Sequence, residues 1–159
     1  MNSPRASQSE MRTANKMRDL AQRLLTYEAF ADGASEPAES ATMRVYERLR
    51  QGLSEVAGVA TFHSLASRAL ALAQTEVPNL SAVQLSADAV LLGFTEIEHK
   101  FNIDKVHAGE FPAGEAGIIF ITRFIDLLHV FLGEATTLSL LRATWPGAAF
   151  HEESSENGG

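Results

Sequence analysis

Two residue pairs have the types and spacing to do chemistry: Glu96-x-x-His99 and Asp126-x-x-His129. A carboxylate and an imidazole three positions apart project from one side of a helix, where together they can hold a metal or ligand. His99, His107 and Glu110 could form a separate single surface site. His63, in Phe62-His63-Ser64-Leu65, offers an imidazole nitrogen as a nucleophile. Arg123, three positions before Asp126, is expected to pair with it and orient that arc. The chain carries no Walker sequence, no Gly-x-Ser-x-Gly elbow and no dinucleotide fingerprint.

The two carboxylate–histidine pairs resemble the motifs of ferritin-like di-iron proteins, which add one Glu from each of two other helices. The resemblance implies that Glu28 and Glu47 would complete a di-metal set, with Asp126 standing where the family has Glu. His63-x-Leu65 resembles the His-x-Leu-Lys-Gly motif of histidine phosphotransfer domains. That implies an exposed, phosphorylatable His63, but Ala66-Ser67 replaces the Lys-Gly whose lysine helps hold the phosphoryl group. His129, beside Phe131 and Leu132 on a very apolar segment, is similar to the haem-ligating histidine of globin-like proteins. Each resemblance covers only a few residues. The commoner roles are structural: paired surface carboxylates, His63 at the edge of a core stripe, His129 bonded to a neighbour. Ligand, metal or haem binding is thus the second reading, and the first requires no cofactor.

The element that must position these groups is the stretch Pro112–Trp145. At about 100° per residue, Phe120, Ile121, Phe124, Ile125, Leu127, Leu128, Phe131, Leu132, Ala135 and Leu138 fill one broad arc. Glu115, Thr122, Arg123, Asp126, His129, Glu134 and Thr137 lie opposite, with Ile119, Val130 and Leu140 among them. Such a helix belongs at the centre of a bundle. Unbroken, it would run about 45 Å, so a bend or break is expected near Gly133, or a protruding end that another chain covers. Arg123, Asp126, His129 and Glu134 interrupt it too often for a membrane span.

Earlier helices are expected over about Gln8–Phe30, from Ser35-Glu36-Pro37 to about Ala57, and over about Ala60–Glu76. Their stripes are Met17, Leu20, Ala21, Leu24 and Tyr27; then Met43, Tyr46, Leu49, Leu53 and Val56; then Phe62, Leu65, Ala66, Ala69, Leu70 and Ala73. Gly33, Gly58 and Val77-Pro78 punctuate them. A small irregular or two-stranded insert is expected near residues 80–94, turning at Ser86-Ala87-Asp88. A short helix from Thr95 to about Phe101 follows, then a loop over 102–109.

The fold class expected is mostly all-α: four to six helices around a long apolar C-terminal helix. A single domain over residues 9–148 is expected, between a polar tail at 1–8 and an acidic tail at 149–159. The 159 residues include no cysteine, which excludes disulfides and thiolate chemistry and fits a cytoplasmic setting. No secretory signal is visible at the N-terminus. A net charge of −7 argues against nucleic acid as the main partner. The charge is uneven: residues 1–50 carry eight Lys/Arg against seven Asp/Glu, and residues 51–159 carry five against thirteen. The first reading of that asymmetry is ordinary solvated surface; the second is complementary packing of the first helix on an acidic face, of another subunit for example. The surplus of apolar surface points to a non-enzymatic interaction or regulatory protein, homodimeric through the long helix. Phe124, Phe131 and Leu138 would anchor that interface, and Gly133 would allow close approach.

Overall fold

The computed structural model describes residues 4–31, 41–94, 96 and 115–148. It is a helical bundle with a small antiparallel hairpin. Helix α1 spans Pro4–Ala31, α2 Ala41–Ala57, α3 Val59–Glu76, α4 Glu115–Leu132 and α5 Glu134–Thr144. A 3₁₀ turn, Pro78–Ala82, and strands β1 (Gln84–Leu85) and β2 (Leu91–Leu92) lie between α3 and α4. No helix among the described residues is long and apolar enough to cross a membrane. The expected start of the second helix at Ser35, the short helix after Thr95, the following loop and the acidic tail fall outside the described residues.

Helix α4 sits at the centre, packed against α1 and α3 and touching α2. It buries Phe120, Ile121, Phe124, Ile125 and Leu128 on one side. Five aromatic rings gather there: Tyr46, Phe62, Phe94, Phe120 and Phe124. Phe62 and Phe124 have centroids 5.4 Å apart, and Tyr46 and Phe62 5.3 Å, distances at which tilted rings attract beyond their burial. Burying each such ring is worth about 1.5–3 kcal/mol. The α3 stripe is buried as its periodicity requires. α2 differs at one end, because Val56 is exposed and Thr42 and Val45 join the core instead.

Two glycines break helices without inserting a loop. Gly58 (φ 96°, ψ 156°) divides α2 from α3, and Gly133 (φ 93°, ψ 162°) divides α4 from α5. That backbone region is essentially restricted to glycine. Each glycine still donates its N–H four residues back, to Ser54 and His129, both at 2.9 Å. Each carbonyl accepts from four residues ahead, from Phe62 at 3.1 Å and Thr137 at 3.0 Å. The expected long C-terminal helix is therefore two helices meeting at the expected residue.

The hairpin pairs Gln84 with Leu92 and Leu85 with Leu91. The Ser86 hydroxyl closes its turn by accepting from the N–H groups of Asp88 (3.2 Å) and Val90 (3.0 Å). Two strands alone would not persist. Here they are tied to the bundle: the Tyr46 hydroxyl donates to the Ala89 carbonyl at 2.6 Å, and His63 Nε2 lies 3.1 Å from the Ser86 carbonyl.

Candidate functional site

Among the described residues, a concentrated polar site lies where α1, α2 and the end of α5 meet. Glu28 continues the α1 stripe four residues after Leu24, a position that calls for an apolar side chain, and it is only 2 % exposed. Its carboxylate accepts from the Trp145 indole N–H at 2.7 Å. Arg48 pairs with the same oxygen, and Arg44 Nε lies 3.6 Å from the other. Arg44 also donates to the Glu28 backbone carbonyl at 3.1 Å. A buried carboxylate is tolerable only when so surrounded. Trp145 is itself 1 % exposed. A cleft of about 280 Å³ opens beside Arg48, between α2 and α5, floored by Gly52, Leu140 and Thr144. A Cβ on Gly52 would come within 2.8 Å of Thr144 Oγ1, so glycine is what lets these helices touch.

Of the residues singled out for metal or ligand binding, Glu28, Glu47, Glu96, Asp126 and His129 are among those described. Asp126 accepts from Arg123 Nη1 at 2.8 Å, as expected, and Arg123 also bonds Glu76 of α3. Burial pushes the Asp126 carboxyl above its ordinary value, with the Arg123 hydrogen bond opposing. His129 is half-buried in the last turn of α4, and Glu96 is exposed. Glu28 is held by arginines and Trp145, and Glu47 accepts from Arg50 at 2.7 Å. Among the described residues no group of three or more His, Asp or Glu could hold a metal ion. His99, His107 and Glu110 lie outside them. His63, the phosphotransfer candidate, has Nε2 against the Ser86 carbonyl.

The interface candidates divide. Phe124 is 0 % exposed within its own chain, so it anchors the aromatic core and is not available to a partner. Leu138 is partly buried against the core. Phe131 is 56 % exposed and Gly133 forms the break. Val130, placed on the polar arc by its periodicity, is 80 % exposed beside Phe131.

The basic side of α1 meets acidic residues within the chain. Lys16 pairs with Glu134 at 2.6 Å and Arg18 with Glu115 at 3.1 Å. Two positions apart on a helix, these cations point to nearly opposite sides, so they reach the two ends of the 115–134 stretch. Lys16 holds the Glu134 carboxyl below its ordinary value, chiefly through that hydrogen bond.

Of these groups, sequence reasoning missed the Glu28–Trp145 contact. Its only signal is the stripe position of Glu28 together with the solitary tryptophan of the chain. No family model matches the chain, and neither the curated proteins nor the solved structures contain a match to it.

Proposed function

We propose that the chain is a non-enzymatic protein–protein interaction module, homodimeric through the α4–α5 pair. The observation that supports this reading is the exposure of Val130 and Phe131, at 80 % and 56 %, in the last turn of α4. The other apolar side chains of that helix are buried or half-buried. Desolvating side chains of this kind contributes about 1.5–3 kcal/mol each, before association costs. The mechanism is binding: the two apolar groups desolvate against the partner, and the charges around them set register. Among the described residues, four of the carboxylates lie in ion pairs, some between helices and some within one. Glu28 holds Arg44 and Arg48, Glu47 holds Arg50, and Asp126 and Glu76 share Arg123.

Native mass spectrometry of the purified protein tests this. The expected result is a dimer without added mass. Phe131→Asp and Val130→Asp are expected to give monomers that melt close to the parent, since both side chains are largely solvated. A parent protein that stays monomeric at micromolar concentration overturns the reading. Retained iron, haem or an organic adduct would overturn it in favour of a ligand held near His129.

A further inference from the structure

Helix α5 hangs on one residue. Gly133 takes a conformation that other residues scarcely adopt, and a Cβ placed there would meet nothing within 4 Å. Helical hydrogen bonds run up to it from one side and away from it on the other. Rotation at this single position would therefore join α4 and α5 into one continuous helix, Glu115–Thr144.

The side chains fit that straight form. Ile121, Phe124, Leu128, Phe131, Ala135 and Leu138 follow one another at alternating spacings of three and four, the spacing of a coiled-coil seam. The seam crosses Gly133 without a slip. In the bent form its first three members are buried in the core, while Phe131 is left 56 % exposed and Ala135 is exposed. In the straight form the later members would project beyond their own bundle and need a second surface.

The groove that α5 occupies is the complement of a neighbouring face of that helix, Thr137, Leu140 and Leu141. It is built on α2, where Gly52 permits the close approach, and beyond the helix end Glu28 of α1 meets the Trp145 indole. If α5 swings out, the same groove on another copy is the one surface already shaped for it. Resting on the dimer reading above, we propose that two copies of this chain exchange α5 about Gly133. Each Trp145 then completes the Glu28 site of the partner. The twofold exchange closes on itself and leaves no α5 groove open. Gly58 has the same backbone geometry but does not act this way. The helix beyond it, α3, carries Phe62 and Leu65 into the core against α4, so opening there would dismantle the fold.

The absence of cysteine makes the test direct. The ideal Cβ of Gly52 lies 4.0 Å from Thr144 Cβ, within the disulfide range of about 3.5–4.5 Å. In a Gly52→Cys/Thr144→Cys protein, oxidation is expected to link two chains, giving a covalent dimer on a non-reducing denaturing gel. Neither single-cysteine variant is expected to form it. Gly133→Ala is expected to raise the dimerisation constant about a hundredfold, a factor of about ten from the strain relieved in each chain. Gly58→Ala, with equal strain, is expected to lower stability without adding dimer. A native dimer whose engineered disulfide lies within one chain overturns the exchange and leaves the dimer reading standing. A monomer with an intrachain disulfide overturns both.

Discussion

Trp145 donates its indole N–H to Glu28 across 2.7 Å in the core, joining residues 117 positions apart. The contact explains how a carboxylate can occupy a stripe position of α1. It also places the end of α5 against the end of α1, so the last helix is held by a specific polar bond as well as by burial.

Glu28→Ala is expected to cost about 1–3 kcal/mol, because it leaves the buried Trp145 indole N–H without its acceptor. Trp145→Phe should cost about 1–3 kcal/mol by removing one donor from a buried charge. Urea unfolding measures both. A loss below about 1 kcal/mol for Glu28→Ala would mean that the contact is weak and solvated, as surface ion pairs are.

Tyr46→Phe tests how the hairpin is fastened. Burial pushes the Tyr46 phenol well above its ordinary value, so it stays a donor throughout the working pH range. The substitution leaves the Ala89 carbonyl without that donor, at about 1–3 kcal/mol. Hydrogen exchange at Ser86–Leu92 should quicken more than exchange in α4. Uniform quickening would argue that Tyr46 acts only through core packing.

Gly52 and Thr144 form a coupled pair. Alanine in place of a mid-helix glycine ordinarily stabilises by about 1 kcal/mol. Gly52→Ala alone is expected to forfeit that gain, because its Cβ would press on Thr144 Oγ1. In a Thr144→Ala background the gain should return. A double-mutant cycle showing no coupling would place the helices further apart than described.

Acid titration should separate Asp126 from Glu134. The folded-state pKa of Asp126 is raised, so its ionised form costs stability. That cost is absent below the ordinary carboxyl value of about 3.9 and sets in as pH rises through the folded value. Asp126→Asn should therefore melt at or above the parent near neutrality, with the difference vanishing in acid. Glu134 is lowered, so its contribution is present above the ordinary value of about 4.3 and is lost as pH falls through the folded value. Glu134→Gln should melt below the parent near neutrality and converge with it in acid. Differences of the same sign in the two variants would contradict this assignment.

Much of the architecture was legible in the amino-acid order. Stripes of period 3.6 mark four helical stretches, and the α3 stripe is buried residue for residue. Gly58 and Gly133 mark the breaks, because glycine alone tolerates the backbone found there. The hairpin turn at Ser86–Asp88 was visible from the alternation around it. These are local properties, set by helical and extended geometry within a few residues.

The tertiary structure decided which apolar residues face inward and which charges meet. Phe124 and Phe131 sit seven positions apart on one arc, yet the first is enclosed by Tyr46, Phe62 and Phe120 and the second stands at the end of α4 in solvent. Glu28 falls on the apolar stripe of α1, and its partners appear only when α2 brings two arginines and the chain after α5 brings Trp145 around it. Periodicity reports the direction in which a side chain points along one helix. What waits in that direction depends on other chain segments, as far as 117 positions away for Glu28 and Trp145, whose arrival is a matter of packing.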